Sequence, residues 1–180
     1  FGLGTKSLSL VSTLPDGRTE SDDRLVRIVS DIKPEIWSFT INETFPHNTS
    51  HFTQGLEFDG NTLYQGTGDP NHNGSTVLGV LDPSSGEYTR KIGLDANYFG
   101  EGITILNNEV FQLTWKNQQC FVYDATSMQL KREHSYVGEG WGICTDGKQL
   151  IMSDGTERIT FRDPKTFETI RTIEVYTNEG

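Results

Sequence analysis

Nowhere in these 180 residues does an apolar run approach the roughly 18 residues that a membrane-spanning helix needs. Basic side chains are also scarce. Fifteen Lys and Arg face 25 Asp and Glu, which leaves a formal charge of −10 and a pI near 4.8. Nucleic acid and anionic membrane both require a basic face, so neither is expected as the main partner. Cysteine is nearly absent. Cys120 and Cys144 alone leave the redox compartment open and allow either one bridge or two buried free thiols. The chain has no Gly-rich phosphate loop, no Gly-x-Ser-x-Gly elbow and no Cys–His nucleophile pattern. It opens with Phe1 instead of Met and closes on EVYTNEG, which reads as the middle of a protein; a mature form or a fragment is expected, with any targeting signal removed from view.

What is present describes a globular, β-rich chain long enough for a real core: 33% hydrophobic and 22% charged residues, 19 glycines and 10 phenylalanines. Three N-glycosylation sequons crowd one polar stretch, Asn42-Glu43-Thr44, Asn48-Thr49-Ser50 and Asn73-Gly74-Ser75, and favour a secreted glycoprotein.

Residues 1–36 are polar and lack sustained alternation. Ser21 ahead of DDRLVRIV suits the cap of a short helix ending before Pro34, and a partly ordered N-terminal extension fits equally well. From about Trp37 to residue 180 the texture changes to short alternating runs separated by Gly, Asp-Pro, Asp-Gly and Asn-Asn turns. A repeat then becomes visible. FTQGLEFDGNTLYQGTG with STVLGVLDPSSGEYTRKI forms one unit, FGEGITILNNEVFQLTW with CFVYDATSMQLKREH a second, and GEGWGICTDGKQLIMSDG with RITFRDPKTFETIRTI a third. The matching residues Asp82, Asp124 and Asp163, and likewise the entry glycines Gly55, Gly102 and Gly142, recur with a period of about 40–47 residues. Four short strands per repeat of that length are the signature of a propeller blade. The period-two alternation and the wealth of Val, Ile, Thr, Phe and Tyr exclude a helical solenoid. An all-β fold with three blades and a leading strand over IWSFTINETF is therefore expected. Propellers close with four blades or more, so a C-terminal piece or a second chain is expected to supply the remainder.

In a propeller, each blade's entry segment leads to the innermost strand, so equivalent entry positions converge on one end of the channel. Those positions hold Gln54, Glu101, and Glu139 with Trp141; the second strands add Trp115 and Asp154. A carboxylate, an amide and two indoles facing one axis make a concave aromatic pocket with few polar groups, the usual anatomy of a small-ligand site.

The stretches FPHNTSHFTQGLEF, YFGEGITIL, QLTWK, FVYD, GEGWGICTDG, LIMSDG and DPKTF, in that order, closely resemble the plant-type glutaminyl cyclases, over about residues 43–180. The resemblance implies a five-bladed β-propeller of which this chain carries about three blades. It implies an acyltransferase, a glutaminyl-peptide cyclotransferase that converts the N-terminal glutamine of peptides to pyroglutamate with release of ammonia and without a metal or other cofactor. By its motifs, Glu101 would be the catalytic acid/base, and Phe52, Gln54, Phe99, Trp115 and Trp141 would line the substrate pocket. The family's later LNELE-like and ANVW-like stretches and a lysine fall outside residues 1–180, so the rest of the pocket is expected from elsewhere. The loop DPNHNGST and residues 1–36 have no counterpart in the resemblance.

Blander readings stand beside these. Glu101 could accept turn hydrogen bonds, the aromatic side chains could be channel packing, and Glu139 fits a structural role at its turn. DPNHNG imitates the start of a calcium loop, but Val80 stands where a bidentate Glu would be needed, so a solvent loop is expected. His47 and His51 follow Pro46 in non-helical sequence, so helix-type zinc spacing does not apply. Two other functions are open to such a chain. One is a non-catalytic propeller serving as a binding or structural subunit. The other is a propeller hydrolase or lactonase, which would need more acidic metal ligands than Glu101, Glu139 and Asp154.

Overall fold

The computed structural model describes residues 3–176; Phe1 and the last four residues of EVYTNEG lie outside the described residues. Among the described residues there is no α-helix, hence none long and apolar enough to cross a membrane. The chain divides into two units, one holding residues up to Phe39 with those from Ile173, the other Thr40–Thr172.

In the first unit, β1 (Gly4–Thr13) pairs antiparallel with β2 (Thr19–Ile28), residue for residue from Gly4↔Ile28 to Thr13↔Thr19. The short helix expected after Ser21 is thus replaced by a strand. Ser21 lies opposite Val11, and the continuous ladder with β1 pairs the backbone groups of alternate residues across the hairpin in place of helical bonds. Asp16 closes the hairpin by accepting from the Arg18 amide at 3.1 Å. IWSFTINETF does not form the expected leading strand. It finds no ladder partner among the described residues, and Ile36, Trp37, Phe39 and Ile41 are exposed.

The second unit is built on three four-stranded antiparallel meanders. The first runs β3 (Thr53–Asp59), β4 (Thr62–Thr67), β5 (Val77–Asp82), β6 (Glu87–Gly93). The second runs β7 (Gly100–Leu106), β8 (Glu109–Thr114), β9 (Gln119–Asp124), β10 (Leu130–Ser135). The third runs β11 (Ile143–Thr145), β12 (Leu150–Ser153), β13 (Arg158–Arg162), β14 (Thr169–Glu174). The repeat read from the sequence has a structural cause at its aspartates. Asp82, Asp124 and Asp163 each accept from backbone amides two and three residues on, or from the hydroxyls there. Their own carbonyls accept from Gly86, Met128 and Phe167, all with positive φ. Each turn is an Asx-type cap leading into the outer strand of its sheet. Asn107 and Asn108, at φ 54° and 61°, make the two-residue turn between β7 and β8.

The second sheet is buried on both faces. Phe111, Leu113, Cys120 and Val122 pack with Ile143, Leu150, Met152 and Phe167 of the third. Val110, Phe121 and Tyr123 pack with Tyr64, Leu78 and Val80 of the first. Successive residues of β8 and β9 therefore serve opposite cores, which is why VFQLT and CFVYD read as continuous runs and not as alternation. At the inner edge the backbones nearly touch. Gly102 N–H donates to Trp141 O at 2.9 Å, and a Cβ on Gly102 would sit 2.7 Å from that oxygen and 2.9 Å from Ile143 N. Only glycine fits there. Cys120 is buried, Cys144 is exposed and both are free thiols, so neither the bridge nor a pair of buried thiols describes them.

Candidate active site

Two irregularities in the ladders aim the central side chains. The β3–β4 register passes from Thr53↔Thr67 to Gly55↔Gly66 and leaves Gln54 unpaired. The β7–β8 register passes from Gly100↔Thr114 to Ile103↔Gln112, and Glu101 lies in that bulge. A bulge re-aims a side chain out of the sheet's alternation, and these two meet: Gln54 Nε2 donates to Glu101 Oε1 at 3.0 Å.

Around this pair is a cavity of about 350 Å³ lined by Phe52, Gln54, Phe99, Glu101, Trp115 and Trp141. Six of the residues singled out from the sequence thus come together in one place. The Phe99 ring stands edge-on to Phe52 at 6.1 Å and to Trp115 at 5.7 Å, a geometry that aromatic quadrupoles favour. Backbone bonds brace the wall, with the Trp115 amide donating to Phe99 O and the Gly140 amide to Trp115 O, both at 2.9 Å.

Burial in this apolar setting raises the Glu101 carboxyl from 4.5 to about 7; the Gln54 hydrogen bond pulls it down and the charge of Glu139 pushes it up. A carboxyl poised there can accept and return a proton near neutrality.

Glu139, read from the sequence as a turn residue, does more. Its Oε2 accepts from Trp115 Nε1 at 2.7 Å and from Trp141 Nε1 at 3.0 Å. Those two bonds, Trp141's foremost, hold its own carboxyl below the ordinary value. Asp154, expected among the pocket residues, is outside the cavity lining; it accepts from Thr156 and pairs with Arg158 at 3.5 Å. In DPNHNG, Asp69 accepts from the Gly74 amide at 2.6 Å and from Ser75 Oγ at 2.9 Å, so its carboxylate closes its own loop. Burial pushes Asp69 up, and these bonds bring it below the ordinary value on balance. His51 packs against Tyr88 at 4.5 Å, with His47 edge-on to it.

The family model for glutamine cyclotransferase matches residues 15–180. A glutaminyl-peptide cyclotransferase of Arabidopsis thaliana is 35% identical over 140 residues, which cover 77% of this chain and 43% of that protein. The crystal structure of Myxococcus xanthus glutaminyl cyclase superposes with a TM-score of 0.69 at 31% identity, over 76% of this chain and 56% of that one. The WD40 domain of Neurospora crassa Pan2, at 10% identity and a TM-score of 0.56, shares the fold alone. The chain thus spans about half the length of the relatives it matches.

Proposed function

The chain belongs to the glutamine cyclotransferase family, and we propose that, within a completed five-bladed β-propeller, it forms the catalytic half of a pocket that cyclises N-terminal glutamine of peptides. The observation that carries this reading is the bulge-aimed Glu101, held by Gln54 inside an aromatic cavity with its carboxyl near 7. Three sheets over a stretch matching 56% of the bacterial cyclase are in proportion to about five in all. The missing sheets come from a further segment of polypeptide or a second chain.

The substrate enters as an α-ammonium, which the indole faces of Trp115 and Trp141 attract. Glu101, as carboxylate, takes a proton from that ammonium and frees the amine. The amine nitrogen then attacks the side-chain amide carbon, forming the C–N bond of a five-membered lactam. Glu101 returns its proton to the amide nitrogen as the tetrahedral carbon collapses and the bond to that nitrogen breaks, so ammonia leaves. The restored carboxylate then takes the second proton from the ring nitrogen and gives it up to the ammonia or to water. One carboxylate in reach of both nitrogens suffices. Gln54 occupies Oε1, which leaves Oε2 to carry the proton. The phenyl and indole walls hold the chain folded toward the ring, and proximity of this kind supplies much of the rate.

The test is ammonia release from a Gln-initiated peptide by the completed protein. Glu101→Gln should abolish it with an unchanged circular dichroism spectrum; retained release would reject the assignment. The sequons support residence in the secretory pathway. Asn42 and Asn73 are exposed, whereas Asn48 Nδ2 donates to Glu87 at 2.9 Å.

A further inference from the structure

We infer that Glu139 is a positioning residue of the pocket, a single carboxylate oxygen that clamps the two substrate-facing indoles and so joins the second sheet's wall to the third sheet's entry. The inference rests on the reading of the cavity as a cyclase pocket, and it gives Glu139 a role that neither the resemblance nor the cavity lining assigns.

Three observations converge on it. First, both indole N–H groups end on the same atom, Glu139 Oε2, at 2.7 and 3.0 Å. Trp115 follows β8 and Trp141 precedes β11, so one oxygen ties together side chains that arrive from two different sheets. An indole has one donor and no acceptor. With that donor engaged, each ring is fixed by its N–H edge, and both rings line the cavity.

Second, Glu139 is itself held. The neighbouring Gly140 donates to Trp115 O at 2.9 Å, and a Cβ at residue 140 would lie 2.7 Å from Thr114 O. Only a glycine lets the segment between β10 and β11 lie this close to the end of β8. The backbone that carries Glu139 is thereby fixed beside Trp115, and the carboxylate needs only its two indole bonds to stay there.

Third, the charged groups around the carboxylate are few and arranged in one sense. Lys116 Nζ stands 3.9 Å from Glu139 Oε1 and 3.9 Å from the centroid of the Trp115 ring. Lys116 thus backs the same indole that Glu139 holds by its edge. Across the pocket the charge that faces Glu139 is Glu101, whose carboxyl it pushes up. The clamp therefore has two separable consequences: the acceptor oxygen sets where the indoles stand, and the negative charge tunes the proton shuttle. Glutamine at 139 keeps an acceptor and removes the charge. Alanine removes both.

The experiment follows the indole N–H resonances of the 180-residue chain by nitrogen–proton correlation NMR, with Trp115→Phe and Trp141→Phe for assignment and Trp37 as the internal control. In the wild type the Trp115 and Trp141 signals should move together as Glu139 titrates, with a midpoint below the ordinary carboxylate value. In Glu139→Ala both should shift and exchange with solvent at least tenfold faster, while Trp37 stays in place. In Glu139→Gln they should remain protected and cease to titrate. Signals in Glu139→Ala that coincide with wild type, or a loss of thermal stability with unmoved indoles, overturn the inference. The kinetic arm uses the completed protein and a Gln-initiated peptide. Glu139→Ala should raise KM at least tenfold, and Glu139→Gln should move the acidic limb of kcat/KM to lower pH without that rise in KM. An unmoved limb together with an unmoved KM in Glu139→Ala also overturns it. If the wild type releases no ammonia while the indoles respond as described, the cyclase reading fails and the clamp stands.

Discussion

Replacing Glu101 with glutamine removes a charge at nearly constant volume and keeps an oxygen to accept from Gln54 Nε2, 3.0 Å from Glu101 Oε1. Burial, opposed by Gln54 and reinforced by Glu139, raises the carboxyl from 4.5 to about 7, so the folded state resists its ionisation. Below pH 4.5 the group is protonated in both folded and unfolded chains and has no effect on stability. Between there and about pH 7 the unfolded chain ionises while the folded one does not; wild-type stability falls across that window and levels off above it. At full weight a rise of this size corresponds to about 3 kcal/mol. Phe52 and Trp141, which line the pocket, are half exposed, and screening by water reduces that to about 1–2 kcal/mol. Glu101→Gln escapes the loss. For a chain of this length it should melt about 4 °C above wild type near pH 8 and together with it at the acidic end. Thermal melts followed by circular dichroism at four or five pH values give the comparison. Curves that differ by the same amount at every pH, or a variant less stable than wild type near pH 8, would refute a buried, upshifted Glu101.

In the proposed reaction the same carboxyl controls rate. The acidic limb of kcat/KM should lie near pH 7, and Gln54→Ala, which removes a hydrogen bond that holds Glu101 down, should move the limb to higher pH in a pH-rate profile. Phe111 is fully buried between the second and third sheets; Phe111→Ala should cost about 3–5 kcal/mol in a denaturant titration. Gly102→Ala, with its Cβ driven against Trp141 O, should destabilise by about 1–3 kcal/mol and depress activity, read from melts and ammonia release in parallel. In a eukaryotic secretory host, Asn42→Gln and Asn73→Gln should each remove one glycan by intact mass. Asn48→Gln should remove none, because Asn48 Nδ2 is tied to Glu87.

Much of the site was legible because the fold is repetitive. FTQG, FGEG and GEGWG occupy matching places in their repeats, and residues at matching places converge when the sheets pack side by side. Gln54, Glu101, Trp141 and Trp115 follow from the repeat alone, and the motif adds Phe52 and Phe99; all six share one cavity. The aspartate turns were equally visible, since an Asx-type cap is a local device that depends on three or four residues. Local signals misled where a distant partner decided. Ser21 with its following acids has the look of a helix cap, but ten residues of β1 lie alongside and take the backbone into a ladder. IWSFTINETF alternates like a strand, yet alternation makes a strand only when an edge is available to pair with. Asp154 shares its repeat position with Trp115 but turns to Arg158. Repeat spacing placed Glu139 at a blade entry beside Trp141 but could not show what it holds. Its role depends on two indoles from different sheets reaching one oxygen, which no local pattern encodes. The bulges that lift Gln54 and Glu101 out of register are likewise a matter of pairing and not of composition.

The most direct measurement follows nitrogen through the reaction. A Gln-initiated peptide carrying isotopically labelled nitrogen in the side-chain amide is incubated with the completed protein, and both products are examined by mass spectrometry. The label should appear in the ammonia, the peptide should lose the mass of one ammonia and keep its α-nitrogen in the new ring, and neither an N-acetylated peptide nor the Glu101→Gln protein should turn over. Label retained in the peptide, an N-terminal glutamate as product, or turnover by Glu101→Gln would contradict a Glu101-shuttled cyclisation.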